Sequence, residues 1–258
     1  MITSKDNSII KHIKAISQKK YRDEYKEYVV EGIKMCLEAV KYAQINKILI
    51  CKELLGENHS LIIDSISNTV NKEQIEEVSS SVFKAISDTQ TPQGIIAICK
   101  QPDITDISDD ILFVLDDIQD PGNLGTIIRT LDSAGYKDLI VSSNTVDHFN
   151  TKVIRSTMGA IFRLNIIRLN EPLSTYLDKL KSMKYKIAVT ALNDSVSLYD
   201  TDFSHKMAII MGNESKGVDQ SIINSADLKI NIPMIGQTES LNVAVATSII
   251  AYEKVRKQ

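Results

Sequence analysis

A chain of 258 residues is long enough for one large domain or two ordinary ones, and its 43% apolar content is ample for a core. The 24% of charged residues is ordinary for a soluble globular protein, and the net charge of −3 gives no global sign of nucleic-acid binding. No apolar run is long enough for a signal peptide or a membrane span, and Cys36, Cys51 and Cys99 show no CxxC spacing. A disulfide framework and a zinc knuckle are thereby excluded, and a reduced, cytoplasmic protein without membrane or metal partners is expected.

Charge is unevenly distributed. Lys5, Lys11, Lys14, Lys19, Lys20 and Arg22 face a single acidic residue, Asp6, in the first 22 positions. Such a local basic arm suits an RNA or membrane-surface contact, and equally an ordinary solvated helix end. Beyond it, "EGIKMCLEAVKYA" places Ile33, Leu37 and Val40 on one helical face, and "KILI" follows as a short buried strand. "SLIIDSIS" and "SSSVFKAIS" read as helices and "GIIAICK" as a closing strand, which makes a compact α/β unit over residues 1–100. The proline and aspartates of "QPDITDISDD" break the pattern and mark residues 101–110 as a linker.

Residues 111–258 form a second α/β series. "ILFVLDDI" is the near-continuous apolar run of a buried parallel strand, and "DLIVSS", "KIAVTAL", "MAIIMG" and "LKINIP" are further strand candidates. Helices are expected at "GTIIRTLDSAG", "EPLSTYLDKLKSM" and "SLNVAVATSIIAYEKVRKQ", so the alternation predicts a parallel sheet covered on both faces. Ligands of such sheets bind at loops leaving the carboxyl ends of strands. Three loops there are rich in Gly, Asn, Ser and Glu: "DDIQDPGNLG", "MGNESKGVD" and "PMIGQTESLN".

In the first loop Pro121-Gly122 makes a turn and Asn123 is placed to cap the helix that follows. Leu124 stands where a dinucleotide fingerprint needs its second glycine, and no G-K-[ST] is present, so neither nucleotide-loop reading is supported. Arg129, flanked by Ile127, Ile128 and Leu131, is either a surface arginine with its stem along the helix or a functional cation beside the core-facing stripe. The second loop holds Glu214 between Gly212 and Gly217, where a carboxylate is positioned for a cation, hydroxyl or amine, or serves only as a polar turn. The third makes Ser240 a candidate N-cap and puts Asn242, a poor helix former, in the first turn, which points to a side-chain task.

Taken in order, N-x-G-x-x-x-R (Asn123, Gly125, Arg129), G-x-E-x-x-G (Gly212, Glu214, Gly217) and I-P-M with S-L-N-V (Ile232 to Met234, Ser240 to Val243) resemble the three motifs of the SpoU (TrmH-like) RNA ribose methyltransferases of the SPOUT superfamily. "RSTMGAIFRL" is similar to that family too, and "EYVVEGIKMCLEAV" with "TPQGIIAI" resembles its N-terminal RNA-binding domain of ribosomal-protein L30e type. One position departs from the pattern: Ala244 stands where a serine often follows S-L-N-V.

The resemblance implies transfer of a methyl group from S-adenosylmethionine to a ribose 2′-hydroxyl, with 23S ribosomal RNA the expected substrate. Alternatives are a transfer RNA or a non-enzymatic RNA-binding role. It implies a C-terminal α/β sheet ending in a deep trefoil knot, and a homodimer with residues of both chains at the catalytic surface. Cofactor contacts are implied for Gly212, Ile232 and Leu241, with Thr190, Leu192 and Met234 as further candidates. Arg129 is implied to act on the 2′-hydroxyl, with Asn123, Glu214, Ser240 and Asn242 orienting it, the ribose and the cofactor. Because guanidinium keeps its proton at physiological pH, phosphate holding and alkoxide stabilisation suit Arg129 better than base catalysis. Lys11, Lys14, Lys19, Lys20 and Arg22 become candidate phosphate contacts.

Overall fold

The computed structural model describes residues 1–191 and 194–257, the side chain of Asn58 aside. The chain opens with α1 (Ser8–Ile16) and α2 (Lys19–Tyr25), then β1 (Glu27–Glu31), α3 (Ile33–Tyr42), β2 (Ile45–Ile50), α4 (Lys52–Leu55), α5 (His59–Ser67), β3 (Ile75–Glu77), α6 (Ser80–Ile86) and β4 (Ile95–Lys100). It continues through β5 (Ile111–Leu115), α7 (Pro121–Ser133), β6 (Asp138–Val141), α8 (Thr151–Ser156), β7 (Asn165–Arg168), α9 (Leu173–Ser182) and β8 (Lys186–Thr190). The last elements are β9 (Val196–Ser197), β10 (Met207–Met211), α10 (Gln220–Ser225), β11 (Leu228–Asn231) and α11 (Val243–Arg256).

Two compact units result, Met1–Asp103 with Asp147–Phe162, and Ile104–Val146 with Arg163–Gln258. The chain therefore does not divide once, at residues 101–110. Residues 147–162, which the sequence reading placed in the second domain, return to the first unit.

In the first unit the strands run in the order β1-β4-β2-β3, antiparallel except for β2 with β3. Helix α1 contributes Ile10, Ile13 and Ile16 to a core with Leu49, Phe83 and Ile96, as its apolar spacing dictates. The returning segment closes this unit: Phe149 stacks on Tyr28 at 4.3 Å and Asp147 pairs with Arg22 at 2.6 Å. Asp88 accepts from the Thr151 hydroxyl at 2.6 Å. Cys36, Cys51 and Cys99 are buried and free.

The second unit is a seven-stranded sheet in the order β7-β6-β5-β10-β8-β11-β9, parallel at every pairing. Leu112 and Val114 of β5 pack with Leu173, Leu177 and Leu180 of α9, while the alternating Phe113 and Leu115 are equally inaccessible. Both faces of the strand are thus covered, which is why the sequence runs apolar without alternation. Helices α7 and α11 lie side by side, joined by hydrogen bonds between the Thr130 and Ser248 hydroxyls (3.1 Å) and between Ser133 and Tyr252 (3.1 Å). No helix among the described residues is long and apolar enough to cross a membrane.

Candidate active site

The loops after β5, β10 and β11 all leave the carboxyl ends of strands that lie close together in the sheet. The first loop turns through Asp117, whose φ of 57° is in the left-handed region that non-glycine residues seldom adopt. Two side chains hold it there. Gln119 donates to its carboxylate at 2.6 Å, and Asn213 of the second loop donates to its carbonyl at 2.8 Å. The oxygen of Asn213 accepts from the Ser215 and Lys216 N–H groups at 2.9 and 3.1 Å, so one side chain shapes its own turn and ties two loops together.

Gly212 is required by the same packing: a Cβ there would lie 2.3 Å from the Gly217 carbonyl carbon and the Val218 nitrogen. Gly217 itself has φ of 70° and closes the turn through paired bonds with Asn213.

Helix α7 is capped by Asp120, whose carboxylate accepts from the Asn123 N–H at 2.7 Å, with Pro121 opening the helix. Asn123 is therefore not the cap the sequence suggested. Its side chain is spent across the site, donating to Glu214 at 3.0 Å. Ser240 is likewise not the cap of α11. Asn242 is, accepting from the Ala244 and Val245 N–H groups at 2.9 and 3.3 Å, while its amide donates to Asn123 at 3.0 Å. The relay Asn242–Asn123–Glu214 thus joins all three motifs.

Partial burial works to raise the carboxyl pKa of Glu214. The Asn123 amide and the N–H groups of Glu214 itself, Asp120 and Gln119 outweigh it and hold the group below its usual value. Asp116, at the base of the first loop, goes the other way: burial raises it, Asp117 and Asp219 add to the rise, and the Ser142 hydroxyl only partly offsets it.

Arg129 stands on the open stripe of α7 with Gly122 and Thr126, exposed and making no hydrogen bond or ion pair with the described residues. It is not part of the relay. Among the described residues nothing occupies its guanidinium.

Beside the relay lies a cavity of about 350 Å³, within the range of small-molecule pockets. Thr190, Gly212, Ile232, Met234 and Leu241 line it, with Glu214 and Ser240 at its wall. Leu192 lies outside the described residues. Ala191, Met211, Ile230 and Ile232 contribute apolar lining, and Glu214, Lys216 and Glu239 contribute charged groups of both signs. Asn231 also lines it, with its side-chain oxygen buried behind the wall and without a hydrogen-bond partner. Leaving an acceptor so costs about 1–3 kcal/mol. A ligand with an apolar ring and a zwitterionic end, as S-adenosylmethionine is, fits this lining.

In the first unit Lys11, Lys14, Lys19 and Lys20 are all exposed, and Lys11 and Lys19 pair with the exposed Asp6 and Asp23 at 3.3 and 2.8 Å. Arg22 departs from the expectation. It is 4% exposed and donates to Asp147 and to the Ile16 and Ser17 carbonyls, so it cannot meet a phosphate. Burial acts to raise the Asp147 carboxyl, and the Arg22 guanidinium, with His148, holds it below the usual range. Asp117, Asp120 and Asn213 went unnoticed in the sequence. Asp-Pro before a helix and Asn inside a glycine turn are the signals that announce two of them.

The sequence model of the SpoU rRNA Methylase family matches residues 110–252, and that of the MRM3-like substrate binding domain matches residues 7–97. The chain belongs to the SpoU rRNA methylase family and is a S-adenosylmethionine-dependent RNA 2′-O-ribose methyltransferase. It is 36% identical, over 97% of both chains, to the 23S rRNA (guanosine(2553)-2′-O)-methyltransferase RlmP of Bacillus subtilis. It is 29% identical to the 23S rRNA (uridine(2479)-2′-O)-methyltransferase of Streptomyces viridochromogenes, over 74% of this chain and 69% of that one. Its fold matches that of an AdoMet-bound rRNA methyltransferase from Sinorhizobium meliloti with a TM-score of 0.83 and 30% identity, over 99% and 97% of the two chains.

Proposed function

We propose that the protein methylates a ribose 2′-hydroxyl of 23S ribosomal RNA in the cytoplasm. The observation that carries the reading is the Asn242–Asn123–Glu214 relay, set between a ligand-sized cavity and the helix that bears an unengaged Arg129. Thr190, Gly212, Ile232, Met234 and Leu241 would hold S-adenosylmethionine, which when bound supplies a methyl group on a sulfonium sulfur. Arg129 holds the phosphate next to the target ribose and stabilises negative charge as it develops on the 2′-oxygen. A guanidinium does not accept the proton, which passes to a phosphate oxygen or water. Glu214, Asn123 and Asn242 keep the three loops in register, and Ser240 faces the ligand from the cavity wall.

Lys11, Lys14, Lys19 and Lys20 bring RNA to the first unit by contacts that position it without reading its sequence. We further propose a homodimer, and a knotted C-terminal segment. The order β10-β8-β11, in which the last long strand crosses back over β8, supports the knot. The test is a map of 2′-O-methylation across total RNA from cells with and without the protein. Loss of one 23S site is expected, and no lost site overturns the reading. Loss of a transfer-RNA site replaces the substrate and leaves the chemistry.

A further inference from the structure

Tyr21 and Tyr25 stand four residues apart on α2, the spacing at which side chains of a helix meet. Their rings lie 17° from parallel, with centroids 6.3 Å apart. Tyr21 is half-buried against the core of the first unit, whereas Tyr25 is 48% exposed. The His12 ring of α1 meets Tyr25 edge-on, with centroids 4.9 Å apart and planes at 73°. His12 is itself held in place: its Nε2 donates to one Glu27 carboxylate oxygen at 2.5 Å, and the Asn46 amide donates to the other. Glu27 is buried, so these partners offset the cost of its desolvation, and the same bond orients the His12 ring.

Three rings thus form one ordered cluster at the surface, and core packing accounts for only part of it. Charge lies beside them. The Lys20 Nζ is 5.6 Å from the centroid of the Tyr21 ring. With the pairs Lys11–Asp6, Lys19–Asp23 and Arg22–Asp147 set aside, residues 7–26 keep Lys14, Lys20 and Lys26 against Glu24, all four exposed. Open aromatic surface with a surplus of lysine is the complement of a single strand of nucleic acid, whose bases stack while its phosphates meet cations. An acidic peptide would use the lysines alone, and a base-paired helix offers no free base face. We propose that Tyr25, backed by Tyr21 and His12, is a stacking platform for an unpaired base of the RNA substrate.

The proposal rests on RNA meeting the first unit, and the experiment separates the two. The full-length protein is titrated with a dodecamer of adenylate and with an abasic ribose-phosphate strand of the same length, at several salt concentrations. Wild type should bind both with a steep salt dependence, and the adenylate more tightly. Tyr25→Ala should lose about tenfold on adenylate and less than about twofold on the abasic strand, with its salt slope unchanged. Tyr25→Phe, which keeps the ring, should stay within about twofold of wild type on both. Tyr25→Leu replaces the alanine variant if circular dichroism shows that the latter does not fold. An equal loss on the two strands overturns the platform, because the variant then acts through fold or charge. No loss on either also overturns it, and leaves the rings to a protein partner. Failure of wild type to bind either strand overturns RNA binding by the first unit, on which the platform depends.

Discussion

Asn242 gives one amide hydrogen to the side-chain oxygen of Asn123 across 3.0 Å, while its own oxygen is held by the N–H groups of Ala244 and Val245. Backbone N–H groups can only donate, so the orientation of the Asn242 amide is fixed. That fixes Asn123 in turn: its oxygen must face Asn242 and its NH₂ must face the Glu214 carboxylate, 3.0 Å away. Polarity runs one way from the start of α11 to the second loop. No member can be turned round without setting two acceptors against each other.

Capping and relay can therefore be separated at one position. Asn242→Asp keeps a good N-cap, with a negative charge at the positive end of the helix, but loses the hydrogen that Asn123 needs. Thermal unfolding should stay within about 0.5 kcal/mol of wild type while single-turnover methyl transfer falls at least tenfold. Asn242→Ala loses the cap too and should cost about 1 kcal/mol of stability as well. Equal stability loss in both variants would show that the relay is structural only.

Glu214 gives the site an acid limit. Its carboxyl is lowered in the folded state, so the charged form stabilises the fold above the ordinary glutamate value of 4.5, and this contribution is lost as pH falls through the lowered value. Glu214→Gln should be less stable than wild type at neutral pH, with the gap closing as pH falls below the ordinary glutamate value. Denaturant unfolding at a series of pH values measures the gap, and a constant gap would contradict the assignment.

At Gly212 the obstacle is backbone. Gly212→Ala presses a methyl group onto Gly217 and Val218, neither of which can rotate away, and should cost about 1–3 kcal/mol with loss of cofactor binding. Gly217→Asn should be much milder, because nothing lies within 4 Å of a Cβ there and asparagine tolerates positive φ. Calorimetric melting of the two variants compares them directly.

The exposed and the buried cations of the first unit should behave in opposite ways. Neutralising Lys14 and Lys20, both exposed, should lower the slope of log affinity against log salt by about 0.7 per lost contact to single-stranded RNA, with little change in melting. Arg22→Ala strands the Asp147 carboxylate in a buried site and should cost about 3–5 kcal/mol. Its salt slope should be unchanged wherever the variant remains folded.

Arg129→Lys tests the chemistry. Lysine keeps the charge and loses the planar fork, so turnover should fall by about a hundredfold or more while RNA affinity changes little. Near-normal turnover would remove bidentate positioning from the mechanism.

The motif loops were legible because their residues are unusual for the elements they join: glycine pairs, asparagine at a helix start, a carboxylate in a tight turn. Which residue caps which helix was not. Asn123 and Asp120, like Ser240 and Asn242, are all good caps by type, and the choice is made by partners brought in from other loops. The Arg22–Asp147 pair spans 125 residues of sequence and leaves no local pattern. An unpartnered oxygen such as that of Asn231 is defined by what fails to surround it, and only coordinates reveal it.

The return of residues 147–162 to the first unit sets an order of events during synthesis. When residue 103 has left the ribosome, Tyr28 still lacks the Phe149 ring and Arg22 still lacks its carboxylate. The first unit must wait, with its last wall missing, while β5, α7 and β6 emerge. A fragment cut at residue 103 would keep the complete four-stranded sheet but expose an aromatic face and an unpaired buried cation. The RNA-binding half of this enzyme is finished from within the sequence of its catalytic half, so neither half could be exchanged by a single splice.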